Sequence, residues 1–132
     1  MVTVRADARI DSRRYMMRSL SYLMAQAYLH GFDWRDALVQ LEREFYGGRV
    51  PSYEPLPLLL GPTAADRLRE ARLVRGVRQV DLMRPPLTTA ENISRYESGA
   101  RDFMRARIRT LLAMARGLRC SILDFVDKVM GM

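Results

Sequence analysis

Four prolines, Pro51, Pro55, Pro57 and Pro62, fall within residues 49–62 of this chain. Each lacks a backbone N–H and pushes the residue before it out of the helical region, so no helix runs through this stretch. An extended linker is expected there. Leu56, Leu58, Leu59 and Leu60 make it too apolar for a solvated tether, so it is expected to lie along a groove of the folded body. On both sides of it apolar residues recur at helical intervals. The expected fold is therefore all-α, in three parts: an N-terminal helical hairpin over 1–48, the Pro-rich linker over 49–62 and a helical domain over 63–132.

The hairpin is read from two stripes. Met16, Leu20, Leu23, Met24 and Ala27 repeat at helical spacing and predict one amphipathic helix from Ser12 to His30, stopped by Gly31. Asp33, with Asp36 three residues on, caps a second helix whose stripe is Trp34, Ala37, Leu38, Leu41 and Phe45 and which ends at Gly47-Gly48. Two such helices, packed antiparallel, enclose little core by themselves. Their apolar faces are expected to rest on the C-terminal domain, on a second subunit or on another protein.

Charge separates the halves. Residues 1–62 hold 8 Arg against 7 acidic residues, a balance of +1; residues 63–132 hold 14 Arg plus Lys against 8, a balance of +6, which together make the net +7. A basic surface draws polyanions by releasing condensed counterions, which suits a nucleic-acid-binding half. All but one of the 22 basic residues are arginine, a bias that GC-rich coding produces as readily as phosphate binding does. The single Cys120 excludes an internal disulfide framework. With no long apolar run and no basic-then-apolar leader, a cytoplasmic bacterial or phage protein without membrane association is expected.

Within the basic half the run Thr88-Thr89-Ala90-Glu91-Asn92-Ile93-Ser94-Arg95-Tyr96-Glu97-Ser98-Gly99 says most about function. It reads as a short polar helix that starts at a Thr cap, turns Ile93 inward and stops at a glycine suited to the left-handed conformation. Thr89, Ala90, Glu91 and Arg95 then share the outer face. Small and polar side chains at the N-terminal end of an exposed helix suit the DNA major groove, where donors and acceptors must come close to base edges.

The residues around this run are ordered in a particular way. Thr63 with Asp66 reads as a capping box opening a helix in which Leu68 and Ala71 face inward. Gly76-Val77-Arg78-Gln79 and Leu82 follow, then Ile93-Ser94-Arg95-Tyr96-Glu97-Ser98-Gly99, with 23 residues from Gly76 to Gly99. Leu111-Leu112-Ala113-Met114-Ala115-Arg116-Gly117-Leu118 and Ser121-Ile122-Leu123-Asp124-Phe125 complete the set. Over residues 63–128 the sequence resembles the Cro and lambda-repressor-like, or XRE-type, helix-turn-helix transcriptional regulators. The resemblance implies a five-helix domain that binds double-stranded DNA. It also implies a pseudo-palindromic operator met by a homodimer, with repression as the outcome.

The resemblance also assigns roles by position. Gln79, next to Arg78, sets the docking on the DNA backbone, where an amide meets a phosphate oxygen. Thr88, Thr89, Ala90, Glu91, Asn92 and Arg95 match positions that read bases or flanking phosphates. Arg95 would donate twice to guanine, Glu91 accept from cytosine, and Thr89 and Ala90 touch a thymine methyl. Glu91 also opposes phosphate and so adds specificity rather than affinity. Arg72 and Glu97 match a structural ion pair between the first helix and the end of the third. Ile93, Tyr96 and Leu82 fall at packing positions, and Cys120 at an apolar one.

Departures from the family pattern are local. Met83 stands where alanine is usual, and Pro85-Pro86-Leu87-Thr88 replaces the usual turn, which implies an early end to the second helix and a differently shaped turn. The loop from Gly99 to Ile108 is about three residues longer than the family's. It carries Arg101, Arg105 and Arg107, an added phosphate clamp or a solvated loop. Arg119 takes the place of the usual glycine after the fourth helix.

An enzyme is not expected. His30 is the only histidine and sits at a helix end, where it caps carbonyls more readily than it catalyses. No nucleophile and base, metal-ligand cluster or phosphate-loop pattern stands out, so no catalytic residue, metal or cofactor is assigned. The alternative to a regulator is an antitoxin-like interaction module whose N-terminal helices bind another protein, with DNA binding secondary or lost. Met16, Met17 and Met24 are adaptable contacts for such a partner. Candidate dimer surfaces are the Ser12–His30 segment and the last helix through Val126, Val129 and Met130.

Overall fold

The structure, a computed structural model, describes residues 10–82 and 88–132. Its helices are α1 (Ser12–Met16), α2 (Leu20–His30), α3 (Trp34–Phe45), α4 (Ala64–Arg75), α5 (Ala90–Glu97), α6 (Ile108–Gly117) and α7 (Ile122–Asp124). Short 3₁₀ turns lie at Gln79–Leu82 and Phe103–Arg105, and α7 runs on into a π-helical stretch, Phe125–Val129. Among the described residues the fold is all-helical, with no strand and one isolated bridge between Ser19 and Arg107. None of these helices is long and apolar enough to cross a membrane.

The helix expected over Ser12–His30 is in fact two. Ser19 caps α2, its Oγ accepting from the Tyr22 N–H at 3.1 Å. The break frees the Arg18 carbonyl to accept the Ile108 N–H at 2.9 Å, at the start of α6, where Arg107 supplies no side-chain cap. The first N–H groups of a helix have no partner within it, so this tertiary bond satisfies α6 at the expense of a continuous first helix. Hydrophobic spacing carries no record of such a trade.

Gly31, in the left-handed conformation, ends α2, and Asp33 opens α3 by accepting from the N–H groups of Arg35 and Asp36 at 2.8 and 3.3 Å. Ala37, Leu38 and Leu41 on α3 are buried, and α3 packs on α6 and α7 as well as on α1 and α2. The N-terminal helices thus rest on the chain's own C-terminal half. One apolar cluster runs from Tyr15, Leu20, Leu23 and Leu38 through Leu68, Leu82 and Ile93 to Phe125 and Val129. Each of these side chains contributes about 1.5–3 kcal/mol by leaving water. Val126 and Val129 are wholly buried in it, so they are not a subunit surface, contrary to the expectation from sequence.

The Pro-rich segment lies on this body, with only two of its four leucines turned inward. Leu56 and Leu59 are buried, while Leu58 and Leu60 are 75% and 79% exposed. Inward residues three apart are what an extended, polyproline-like path gives, with three residues per turn. Side chains of neighbouring helices satisfy its backbone. The Leu56 N–H donates to Asp124 Oδ2 at 2.6 Å and its carbonyl accepts from Lys128 Nζ at 2.8 Å. The Leu60 and Gly61 N–H groups both donate to Glu70 Oε1 at 2.8 Å, and Arg67 Nη1 donates to the Gly61 carbonyl at 2.9 Å. Arg119, left-handed at φ 59°, is fixed by the same segment: its carbonyl accepts from the Glu54 N–H at 2.9 Å and its Nε donates to Glu54 Oε2 at 3.0 Å.

Candidate nucleic-acid interface

Two elements, α4 and the Gln79–Leu82 turn, hold the candidate helix. Thr63 caps α4, its Oγ1 accepting from the Asp66 N–H at 3.1 Å and donating to Asp66 Oδ2 at 2.8 Å. Leu68 and Ala71 of α4 are fully buried, and α4 packs on α5. The Gln79–Leu82 turn sits on α6 at Gly117, where an added Cβ would lie 2.6 Å from Leu82 Cδ2 and 3.2 Å from its Cα, so any larger residue there must displace the buried Leu82 side chain. The Met83, Pro85, Pro86 and Leu87 features read from the sequence lie outside the described residues.

Arg72 and Glu97 join α4 to α5. Arg72 Nε donates to Glu97 Oε2 at 2.8 Å and Nη2 to Oε1 at 3.1 Å, with side chains 14% and 6% exposed. Arg72 Nη1 also donates to the Val77 carbonyl at 3.2 Å. Gln79 Nε2 donates to Glu97 Oε1 at 3.3 Å, so the amide is turned toward this pair. Planar bidentate contact fixes orientation as well as distance, which sets the pose of α5.

On α5, Thr89 Oγ1 accepts from the Asn92 N–H at 3.2 Å, and Gly99, at φ 81°, follows the helix end. Ile93, Tyr96 and Glu97 are buried; Ala90, Glu91, Ser94 and Arg95 are exposed; Thr89 and Asn92 are half-buried. This is the one-in-three, one-in-four alternation of a helix lying on its core. Thr88 departs from the expectation. It is fully buried and its hydroxyl donates to the Leu82 carbonyl at 2.8 Å, so it braces the turn and is not a base or phosphate contact. Ser94, absent from the residues picked out by sequence, shares the outer face.

The exposed charges are organised. Arg95 Nη2 meets Glu91 Oε1 at 2.5 Å, one helical turn apart. Arg78 is largely exposed and paired with Asp81, whose Oδ2 accepts the Arg78 N–H at 2.7 Å. That N–H, and then the guanidinium, hold the Asp81 carboxyl below its ordinary pKa. Beyond α5, Arg95, Tyr96, Ala100, Arg101, Asp102 and Arg105 line an open groove of about 490 Å³. Asp102 is occupied in capping, its Oδ1 accepting from the Met104 N–H at 2.9 Å. Arg101 and Arg105 thus come together with Arg95, while Arg107 lies outside the groove, on the bridge to Ser19.

Phe103 ties this groove to the core. It is buried, with ring centroids 4.9 Å from Tyr96 and 6.1 Å from Phe125, so the loop after α5 is anchored to the core between Arg101 and Arg105. An aromatic residue inside a basic loop was the available sign. Burial raises the pKa of the Tyr96 hydroxyl, with Arg101 beside it acting in the opposite sense.

Among the described residues no cluster of three or more His, Cys, Asp or Glu is placed to hold a metal ion. Cys120 is buried, which pushes its thiol up to about 12, and His30 is exposed at the end of α2. Comparison with protein-family models, with curated proteins and with solved structures gives no match.

Proposed function

We propose that this protein is a sequence-specific DNA-binding transcriptional regulator, a repressor that meets a pseudo-palindromic operator as a homodimer. In this reading residues 63–132 form the five-helix helix-turn-helix arrangement that the sequence resembles, and α5 enters the major groove. One observation carries it: α5 buries Ile93, Tyr96 and Glu97 and presents Ala90, Glu91, Ser94 and Arg95, beside a groove walled by two further arginines. Small side chains allow close approach, Glu91 accepts from a cytosine amine, and the arginines neutralise the backbone. Two copies about one DNA turn apart supply the affinity that one short helix lacks.

The test is selection of bound duplexes from a random library at fixed salt, with the wild-type chain and with Glu91→Ala. A two-fold symmetric site whose preference relaxes in the variant supports the proposal; weak, sequence-blind binding by both proteins counts against it. A second reading has its own support. Tyr28 and Leu29 are 88% and 68% exposed on α2, a surface suited to a protein partner in an antitoxin-like module. That reading predicts a partner captured through residues 10–48 and no selected site.

A further inference from the structure

Resting on the DNA-binding reading, we infer that Arg95 is a phosphate ligand rather than a base reader, and that it makes Glu91's choice of base govern a backbone contact. Arg95 stands between a carboxylate and a basic groove. Its Nη2 lies 2.5 Å from Glu91 Oε1, and the same side chain walls the groove shared with Arg101 and Arg105. The ion pair is exposed, at 47% and 72% for the two side chains, so it exchanges readily. The groove is basic and firm. Ala100 and Arg101 both donate their N–H groups to the Arg95 carbonyl, at 2.9 and 3.3 Å, and Phe103 anchors the far side.

A phosphate seated between Arg101 and Arg105 draws Arg95 away from Glu91. The freed carboxylate then needs a donor. Opposite cytosine the exocyclic amine supplies one, and Arg95 stays on the phosphate. Opposite a pair with no donor at that place, Glu91 keeps Arg95, and the groove holds its phosphate with one cation fewer. Base recognition and phosphate neutralisation are thereby coupled through a single guanidinium.

The experiment measures binding against salt for two duplexes: the selected site and the same site with the Glu91-dependent base pair changed. Each cation withdrawn from the phosphates lowers the salt slope by about 1, so the wild-type slope should be about one unit steeper on the selected duplex, where Arg95 stays on the phosphate. With Arg95→Ala the two slopes should coincide at the shallower value, and base preference at every position should persist. Equal wild-type slopes, or relaxed preference for guanine at a separate position in Arg95→Ala, overturn this inference and leave the DNA-binding reading standing. Failure of the wild-type chain to select any site overturns the reading and this inference with it.

Discussion

Removing one partner of the Arg72–Glu97 pair should be worse than removing both. In Arg72→Leu, Glu97 remains 6% exposed with only the Gln79 amide, at 3.3 Å, as a donor. An uncompensated buried charge costs about 3–5 kcal/mol, and the surviving amide places this variant near the lower end, at about 3 kcal/mol. In Glu97→Leu, Arg72 keeps the Val77 carbonyl at 3.2 Å and reaches solvent more easily, so the loss is about 2 kcal/mol. In the double variant no charge is stranded and two apolar side chains fill similar volume, so the loss is about 1–2 kcal/mol. The coupling between the two positions is then about 3–4 kcal/mol. Urea denaturation reads these values, with a slope of about 1.5 kcal/mol per molar for a chain of this size, so Arg72→Leu lowers the midpoint by about 2 M. Additive effects of the two substitutions, or single losses below about 1 kcal/mol, would refute a buried, orienting ion pair.

Other expected outcomes probe separate parts of the fold. Leu56→Ala should lose about 2–4 kcal/mol and Leu58→Ala close to none, since only the first leaves a cavity under the Pro-rich segment; equal losses in urea melts would contradict the described path. Gly117→Ala should destabilise by about 1–3 kcal/mol through its clash with Leu82, reversing the sign expected from helix propensity alone; thermal denaturation checks it. Burial raises Glu42 above 4.5 despite the Ile122 N–H donating to its Oε2 at 2.6 Å, so the native state binds this proton more tightly than the unfolded chain. Its contribution to stability is full below 4.5 and is lost as pH rises through the folded value, so the stability difference between wild type and Glu42→Gln should shift against wild type as pH rises through that range. Cys120, its thiol pushed up to about 12, should resist a thiol reagent at neutral pH until the protein is unfolded.

What the sequence revealed and what it hid divide along physical lines. Helix caps are local, and Asp33, Thr63 and Thr89 each accept from the N–H groups that sequence spacing assigns to them. Leu68, Ala71 and Ile93 were legible as the inward faces of capped helices, and Leu82 as a packing position that the family resemblance implies; all four are buried. The break at Met17–Ser19 was not, because its cause is Ile108, far along the chain. Thr88 and Thr89 look interchangeable as letters. Only the Leu82 carbonyl distinguishes the buried brace from the cap. In the linker, four leucines in a row of five residues carried no phase, and the side chains of Asp124, Lys128 and Glu70 set which two face inward. The basic groove depended on Phe103, a residue that local charge patterning overlooks.

The claim that the outer face of α5 reads DNA is tested most directly by attaching an iron chelate at Ala90→Cys, with buried Cys120 leaving a single reactive thiol, and mapping strand cleavage on the selected duplex. Cleavage should centre on the major groove of each half-site, with none of comparable strength from the same label at Tyr28→Cys on α2. Cleavage that ignores the site, or that arises from Tyr28→Cys and not from Ala90→Cys, would contradict it.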